Sequence, residues 1–100
     1  KIKIGAFSSN GYYPVFYSNN VEVARFLTNG RFLLKTTTDA GYDFDVNGTA
    51  RATKFYVSAL NTAPSSASDT GTAGEIRFTS NAIYICTATN TWKKADIATW

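Results

Sequence analysis

The chain has 100 residues, no histidine, a single cysteine and a net charge of +3. The absence of histidine excludes Ser-His and Cys-His nucleophilic pairs and every zinc site that depends on imidazole. Acidic residues interrupt the cations along the chain, so the clustered basic footprint of a nucleic-acid-binding protein is missing. No apolar run approaches the ~20 residues of a membrane span. Composition therefore predicts no nucleic-acid partner and no membrane insertion.

Large apolar side chains are scarce. Leu, Ile, Val and Phe together supply 22 residues, whereas Thr, Ser and Asn supply 30. A chain of this size buries only about 65% of the surface that its unfolded form exposes. The composition therefore predicts a thin core in one chain, and it favours a core that is completed by further copies of the same chain.

Two strand-like stretches open the chain. Residues 1–7 alternate lysine with isoleucine before a glycine, which is typical of an exposed strand. Residues 12–17 are rich in aromatic side chains, and Pro14 predicts that this second strand lies at a sheet edge or bends. Asn19 and Asn20 then end the run.

A hairpin is predicted next. Asn29-Gly30 joins the run VEVARFL to the run RFLLKT, and Asn-Gly between two apolar runs is a strong hairpin signal. A helix over residues 22–30, with Gly30 as its C-terminal stop, is the alternative that such a short run leaves open.

Within GYDFDVNG, residues 41–48, the pattern Asp43-x-Asp45-x-Asn47-Gly48 matches the first half of an EF-hand calcium loop that begins at Asp43. The twelfth position of that loop needs a bidentate glutamate, and here it is Lys54. Apolar side chains, among them Phe44 and Val46, alternate with the acidic ones, and this period of two is typical of a strand. The pattern predicts a strand, then a turn at Asn47-Gly48, and no metal site.

The second half of the chain divides by composition. Residues 53–59 form a further strand-like run. Residues 61–74 contain no large apolar side chain and are predicted to be a linker or an extended surface segment. The runs GEIRFTS, NAIYICTA and TNTWKKADI then predict a three-stranded antiparallel meander with one apolar side, in which Cys86 packs as a small hydrophobe. The predicted fold class is all-β, built from short antiparallel strands and hairpins, with segments 1–60, 61–74 and 75–100.

Catalytic signatures are weak. The chain has neither a phosphate-binding loop nor a dinucleotide fingerprint, which predicts no cofactor. Glu22, Glu75 and the five aspartates are capable of forming a glycosidase pair, but no local pattern marks any of them as unusual. We therefore predict that the chain is not an enzyme.

The pieces NGRFLLKTTTDAGYDFDVNGTARAT and NTAPSSASDTGTAGEIRFTSNAIYICTATNTWKKADIATW resemble the C-terminal regions of bacteriophage tail and head fibre proteins. The resemblance covers residues 21–100 and is most specific at DVNGTAR and from Gly74 to Trp100. The family usually has Ile-Gly at the place of Lys35, and Phe44 stands where leucine is common.

The resemblance implies a homotrimeric, β-rich fibre of the virion, with an intertwined shaft in residues 1–60 and a compact distal head in residues 75–100. It implies an extracellular location on the virion, and it implies host cell-surface glycans or proteins and other virion proteins as partners. A trimer axis would bury apolar stripes that one chain leaves uncovered. The residues predicted to pack within or between subunits are Phe44, Val46, Ile76, Phe78, Ile83 and Ile85.

Receptor contacts are predicted in the C-terminal head, where aromatic faces lie beside hydrogen-bonding groups: Tyr84, Asn90, Trp92 and Lys93. An alternative for Tyr84 and Trp92 is that they simply cover the meander. Two other functions stay open for the whole chain. One is a fibre-borne glycan hydrolase, and the other is a trimerisation or capping module without receptor contact.

Overall fold

The structure is a computed structural model that describes the backbone of residues 2–4 and the whole of residues 14–100. These residues form an all-β fold without helices, which confirms the predicted class. None of them forms a helix long and apolar enough to cross a membrane. The predicted strand in residues 1–7 is confirmed at Ile2–Ile4, and the rest of that run, with the start of the 12–17 run, lies outside the described residues.

The chain divides into two compact units, Lys1–Thr53 and Lys54–Trp100. Unit 1 contains a five-stranded sheet in the order β1-β2-β3-β4-β5. Its strands are β1 (Ile2–Ile4), β2 (Val15–Ser18), β3 (Val21–Phe26), β4 (Phe32–Leu34) and β5 (Phe44–Val46).

Two hairpins of unit 1 follow from their turn residues. Asn19 and Asn20, with φ of 52° and 64°, join β2 to β3, because asparagine tolerates the positive φ of the turns that match strand twist. At the second hairpin Gly30 has a φ of 90°, and the Leu27 amide donates to the Arg31 carbonyl at 2.8 Å. The predicted hairpin is therefore confirmed, and the alternative helix over residues 22–30 is wrong.

Strand β5 is also confirmed, but it pairs with β4 in parallel, where the sequence predicted antiparallel strands. The Phe32 amide donates to the Asp43 carbonyl, and the Asn47 amide donates to the Leu34 carbonyl. Residues 35–43 carry the chain back to the start of β4 and so impose the parallel direction. The chain bends at Asn47 and Gly48, although neither has a positive φ.

Phenylalanine side chains form a ladder across four strands of unit 1. Phe26 and Phe32 lie 4.6 Å apart between ring centroids, and Phe32 and Phe44 stack at 5.6 Å. Phe16 meets Phe26 edge-on at 6.4 Å. The ladder ends near the surface, since Phe44 is 60% exposed, and Leu33 is fully buried within the sheet.

Unit 2 contains the predicted antiparallel meander, β6 (Ile76–Phe78), β7 (Ala82–Ala88) and β8 (Thr91–Asp96). The predicted strand over residues 53–59 is wrong, because no strand lies beside this run to accept its backbone hydrogen bonds. Phe55 and Tyr56 are 78% and 83% exposed as a result.

Residues 61–74, predicted to be a linker, are hydrogen-bonded to the meander. The Trp92 amide donates to the Ala67 carbonyl at 2.8 Å, and the Gly74 amide donates to the Cys86 carbonyl at 2.7 Å. Small side chains suit this segment because it must approach an indole ring closely. Residues 61–74 thus belong to unit 2 together with the meander. The boundary between the units, at Thr53, differs from the predicted boundaries at residues 60 and 74.

The two faces of the meander differ in burial. Ala82, Cys86 and Trp92 are buried on the face that residues 61–74 cover, and Cys86 packs there as predicted. The opposite face carries Ile76 opposite Ile85 and Phe78 opposite Ile83, as strand alternation predicted. Three of these four side chains are 39% to 50% exposed, so this second face is the one that needs a cover.

Candidate functional site

Two surface features of unit 2 are candidates for function. We call the first the aromatic groove. It has a volume of about 250 Å³ and is lined by Pro64, Ser66, Ala67, Tyr84, Trp92, Lys93 and Lys94. We call the second the hydrophobic face. It consists of Phe55, Tyr56, Val57, Leu60, Ile76, Phe78, Ile83 and Ile85.

Trp92 forms the floor of the aromatic groove and the centre of the core of unit 2. It is only 5% exposed, and its Nε1–H donates to the Asp69 carbonyl at 3.0 Å. The Arg77 guanidinium lies 4.7 Å from the centroid of the indole ring, within cation–π range. The ring therefore covers the meander, as the alternative interpretation expected, and offers little surface to a receptor.

Gly71 lies directly against this indole ring. A Cβ atom at this position would come within 2.6 Å of Trp92 Cζ2 and 2.9 Å of the Cys86 sulfur. Gly71 has no positive φ, so the requirement for glycine is purely steric. The close approach fixes residues 61–74 against the meander.

Asn90 lies in the β7–β8 turn with a φ of 51°. Its amide donates to the Gly71 carbonyl at 2.9 Å, and its side-chain oxygen accepts from the Gly71 amide at 3.0 Å. The backbone amide and the side-chain oxygen of Asn90 therefore attach the β7–β8 turn to residues 61–74. Asn90 does not line the aromatic groove.

Strand register decides which lysine shares a face with Tyr84. Tyr84 pairs with Lys94, and Lys93 pairs with Ile85 on the opposite face. Because paired residues of an antiparallel ladder project to the same side, the Lys94 side chain flanks the half-buried Tyr84. Sequence reasoning named Lys93, which also lines the groove, and missed Lys94, although Trp92 and Lys94 are two residues apart and alternation alone puts them together.

The wall of the groove is held in place by Asp69. Its carboxylate accepts hydrogen bonds from the Ser65 and Thr70 amides, each at 2.8 Å. These bonds stabilise the ionised form and lower the pKa of Asp69 below its ordinary value. Lys94 forms an ion pair with Asp96 at 3.3 Å, and no acidic residue lines the groove itself.

The hydrophobic face is continuous. A depression of about 540 Å³ brings Phe55, Tyr56, Val57 and Leu60 together with Phe78 of β6. Asn61 fastens this segment to β6, because its amide donates to the Phe78 carbonyl and its side-chain oxygen accepts from the Phe78 amide. The predicted packing residues Ile76, Phe78, Ile83 and Ile85 thus lie together on one surface, while Phe44 and Val46 belong to unit 1.

All seven acidic residues lie in the described part of the chain, and most have short-range partners. Glu22 pairs with Arg25 and Glu75 with Arg77, while the Arg31 guanidinium approaches both Asp39 and Asp43. Bonds from the Gly41 amide, Asn29 and Arg31 lower the pKa of Asp39. Within residues 14–100, no cluster of three or more potential metal ligands occurs. Asp45, in the EF-hand-like stretch, lies in strand β5 opposite Leu33.

Comparison with known proteins gives a short match. A stretch of this chain is 49% identical over 37 residues to a protein of Klebsiella phage K64-1, "Depolymerase, capsule K30/K69-specific". The match covers 37% of this chain and 5% of the depolymerase. No family model matches the chain, and no solved structure matches it. The chain is therefore similar over a short stretch to a phage protein.

Proposed function

We propose that this chain is a segment of a homotrimeric phage fibre, with a structural and adhesive role on the virion and no catalytic role. The observation that carries the proposal is the hydrophobic face of unit 2. The short similarity to a phage depolymerase supports a phage origin.

The size of the hydrophobic face supports assembly with further copies. Seven of its side chains are between 39% and 83% exposed. These fractions correspond to on the order of 700 Å² of apolar surface. Monomeric proteins rarely expose a patch above about 600 Å², and a stable interface buries about 800 Å² on each partner. An area of this size favours self-association.

The phenylalanine ladder gives unit 1 a second exposed apolar strip. Phe26 and Phe44 are 40% and 60% exposed, and Tyr42 nearby in the chain is 57% exposed. Only Val15, Ala24 and Leu33 are buried in the described part of this unit, so its core is as thin as composition predicted. Both units therefore leave apolar side chains that a second and a third copy would cover.

Sedimentation equilibrium at several concentrations tests the proposal with a matched pair of variants. Val57 lies on the hydrophobic face, whereas Val21 is 63% exposed in unit 1 and lies outside both the face and the ladder. We expect the unmodified chain and Val21→Asp to be trimeric. Val57→Asp should dissociate, because an unpaired charge at an interface costs about 3 kcal/mol per copy. An unmodified chain that stays monomeric at every concentration would refute the trimer.

A glycan hydrolase is the second candidate, because the matched phage protein is named a depolymerase. Hydrolysis needs two carboxyl groups about 5 to 9.5 Å apart across a sugar-binding cleft. The test is release of reducing ends from purified capsular polysaccharide, with Glu22→Gln, Glu75→Gln and Asp→Asn variants as controls. Release that one of these variants abolishes would replace the non-catalytic proposal.

A further inference from the structure

We propose that the aromatic groove holds a carboxylate-bearing sugar, such as one uronic acid unit of an acidic polysaccharide. The inference rests on the proposed adhesive function, since it names the class of host-surface molecule that the fibre binds. It depends on three features of the groove: its size, its side chains and its rigidity.

The groove fits a small ligand. Its volume of about 250 Å³ falls just below the range of about 300 to 1,000 Å³ that is typical of sites for drug-sized molecules. A groove of this size accommodates one sugar ring with part of its neighbours.

The side chains of the groove supply an aromatic surface beside a cation. Tyr84 is half-buried, so one part of its ring remains available to the C–H face of a pyranose. Pro64 and Ala67 provide apolar walls, and Ser66 provides a hydroxyl. This combination of a flat apolar surface and a few polar groups is characteristic of small-ligand sites.

Lys94 gives the groove its preference for an anion. Its charged ammonium group carries three donors and no acceptor, and the Asp96 carboxylate at 3.3 Å accepts from one of them. The side chain is 56% exposed, so the remaining donors are accessible to a ligand. A sugar carboxylate in the groove would form a charge-assisted hydrogen bond with this amine, which is about twice as strong as a neutral one.

The walls are fixed before any ligand binds. The Trp92 backbone amide donates to the Ala67 carbonyl, and the Trp92 indole N–H donates to the Asp69 carbonyl. The Asp69 carboxylate accepts a hydrogen bond from the Ser65 amide. The first two bonds tie the outer wall to β8, and the third fixes the wall internally. Binding therefore requires little ordering of the protein, which favours affinity for a small ligand.

The experiment is a chemical-shift titration of the full chain with trigalacturonic acid and, separately, with its carboxyl-reduced, neutral counterpart. We expect the acidic probe to shift the amides of Tyr84, Trp92 and Lys94. Lys94→Gln should weaken binding of the acidic probe about tenfold and should change the dissociation constant of the neutral probe by less than about twofold. Tyr84→Leu should weaken the binding of both probes. Lys54→Gln, which replaces an exposed lysine outside the groove, should change the binding of neither.

Equal affinity for both probes would overturn the inference, as would shifts confined to residues outside the groove or no shifts at millimolar probe. Amide spectra and sedimentation equilibrium on each variant separate this outcome from a failure of the proposed function. A trimer that does not respond to the acidic probe would refute the groove alone. A monomer that binds the acidic probe at Tyr84 would support the groove and refute the trimeric fibre.

Discussion

The two units build their cores in different ways. Unit 1 holds its aromatic rings in a ladder across paired strands, and Leu33 is buried within that sheet. Unit 2 buries Trp92 and Cys86 under an irregular segment that carries no strand. The first core depends on strand pairing, whereas the second depends on hydrogen bonds and close packing between a loop and a sheet. Substitutions in strands should therefore affect unit 1 most, and substitutions in the covering loop should affect unit 2.

The largest expected effect is that of Trp92→Ala. The change removes a buried ring, its hydrogen bond to Asp69 and its stacking with Arg77, and such losses cost about 3 to 5 kcal/mol. Urea unfolding followed by circular dichroism measures the change. The matched control is Trp100→Ala, which removes a fully exposed ring and should change the free energy of unfolding by less than about 0.5 kcal/mol. Equal effects would mean that the Trp92 core does not hold unit 2.

Leu33→Ala is the corresponding change in unit 1. Leu33 is fully buried, so we expect a loss of about 3 kcal/mol, and the half-buried Leu34→Ala should lose less. Hydrogen exchange measures the effect in each unit separately. Protection should fall in β3 and β4 and persist in β7 and β8. A parallel fall in β7 would show that the two cores are not separate.

Gly71→Ala tests the close packing of the covering loop. The added methyl group meets Trp92 and Cys86 at 2.6 to 2.9 Å, which forces the loop or the ring to move and costs about 2 kcal/mol. Gly48→Ala is the control, because Gly48 has open space and no positive φ. Thermal unfolding of the two variants should differ clearly, and similar melting temperatures would mean that the loop does not pack as described.

Lys35→Gly should stabilise unit 1 slightly. Lys35 has a φ of 61°, a left-handed conformation that glycine adopts without strain. The free energy gained by relieving that strain exceeds the free-energy cost of the more flexible unfolded chain by about 0.5 kcal/mol. Lys54→Gly, at a position without a positive φ, should instead destabilise slightly. Urea unfolding of both variants measures the difference in sign.

Asp69→Asn probes the electrostatic part of unit 2. The pKa of Asp69 in the folded chain lies below its ordinary value of 3.8, chiefly because the Ser65 and Thr70 amides bond its ionised form. The ionised carboxylate therefore stabilises the fold above that ordinary value, and the contribution disappears as the pH falls through the folded pKa. The melting temperatures of the parent and the variant should differ at neutral pH and converge in acid. A difference in melting temperature that does not change with pH would contradict this role of the ionised Asp69 carboxylate.

Most of the local structure was predictable because its causes are local. Asparagine and glycine at the turns accept positive φ, and the alternation of Ile76, Phe78, Ile83 and Ile85 depends only on the period of a strand. The candidate site was predictable in part. Tyr84, Trp92 and Lys93 line the groove, but the strand register also brings in Lys94, which sequence reasoning did not name, and Asn90 serves the turn instead.

The sequence by itself determined the all-β class, the hairpins and the meander, since each depends on neighbouring residues. Only the tertiary structure decided the parallel pairing of β4 with β5, the cover that residues 61–74 place over Trp92, and the absence of a strand in residues 53–59. Each of these features depends on which distant segment lies alongside, and a local pattern of polar and apolar residues carries no information about that partner.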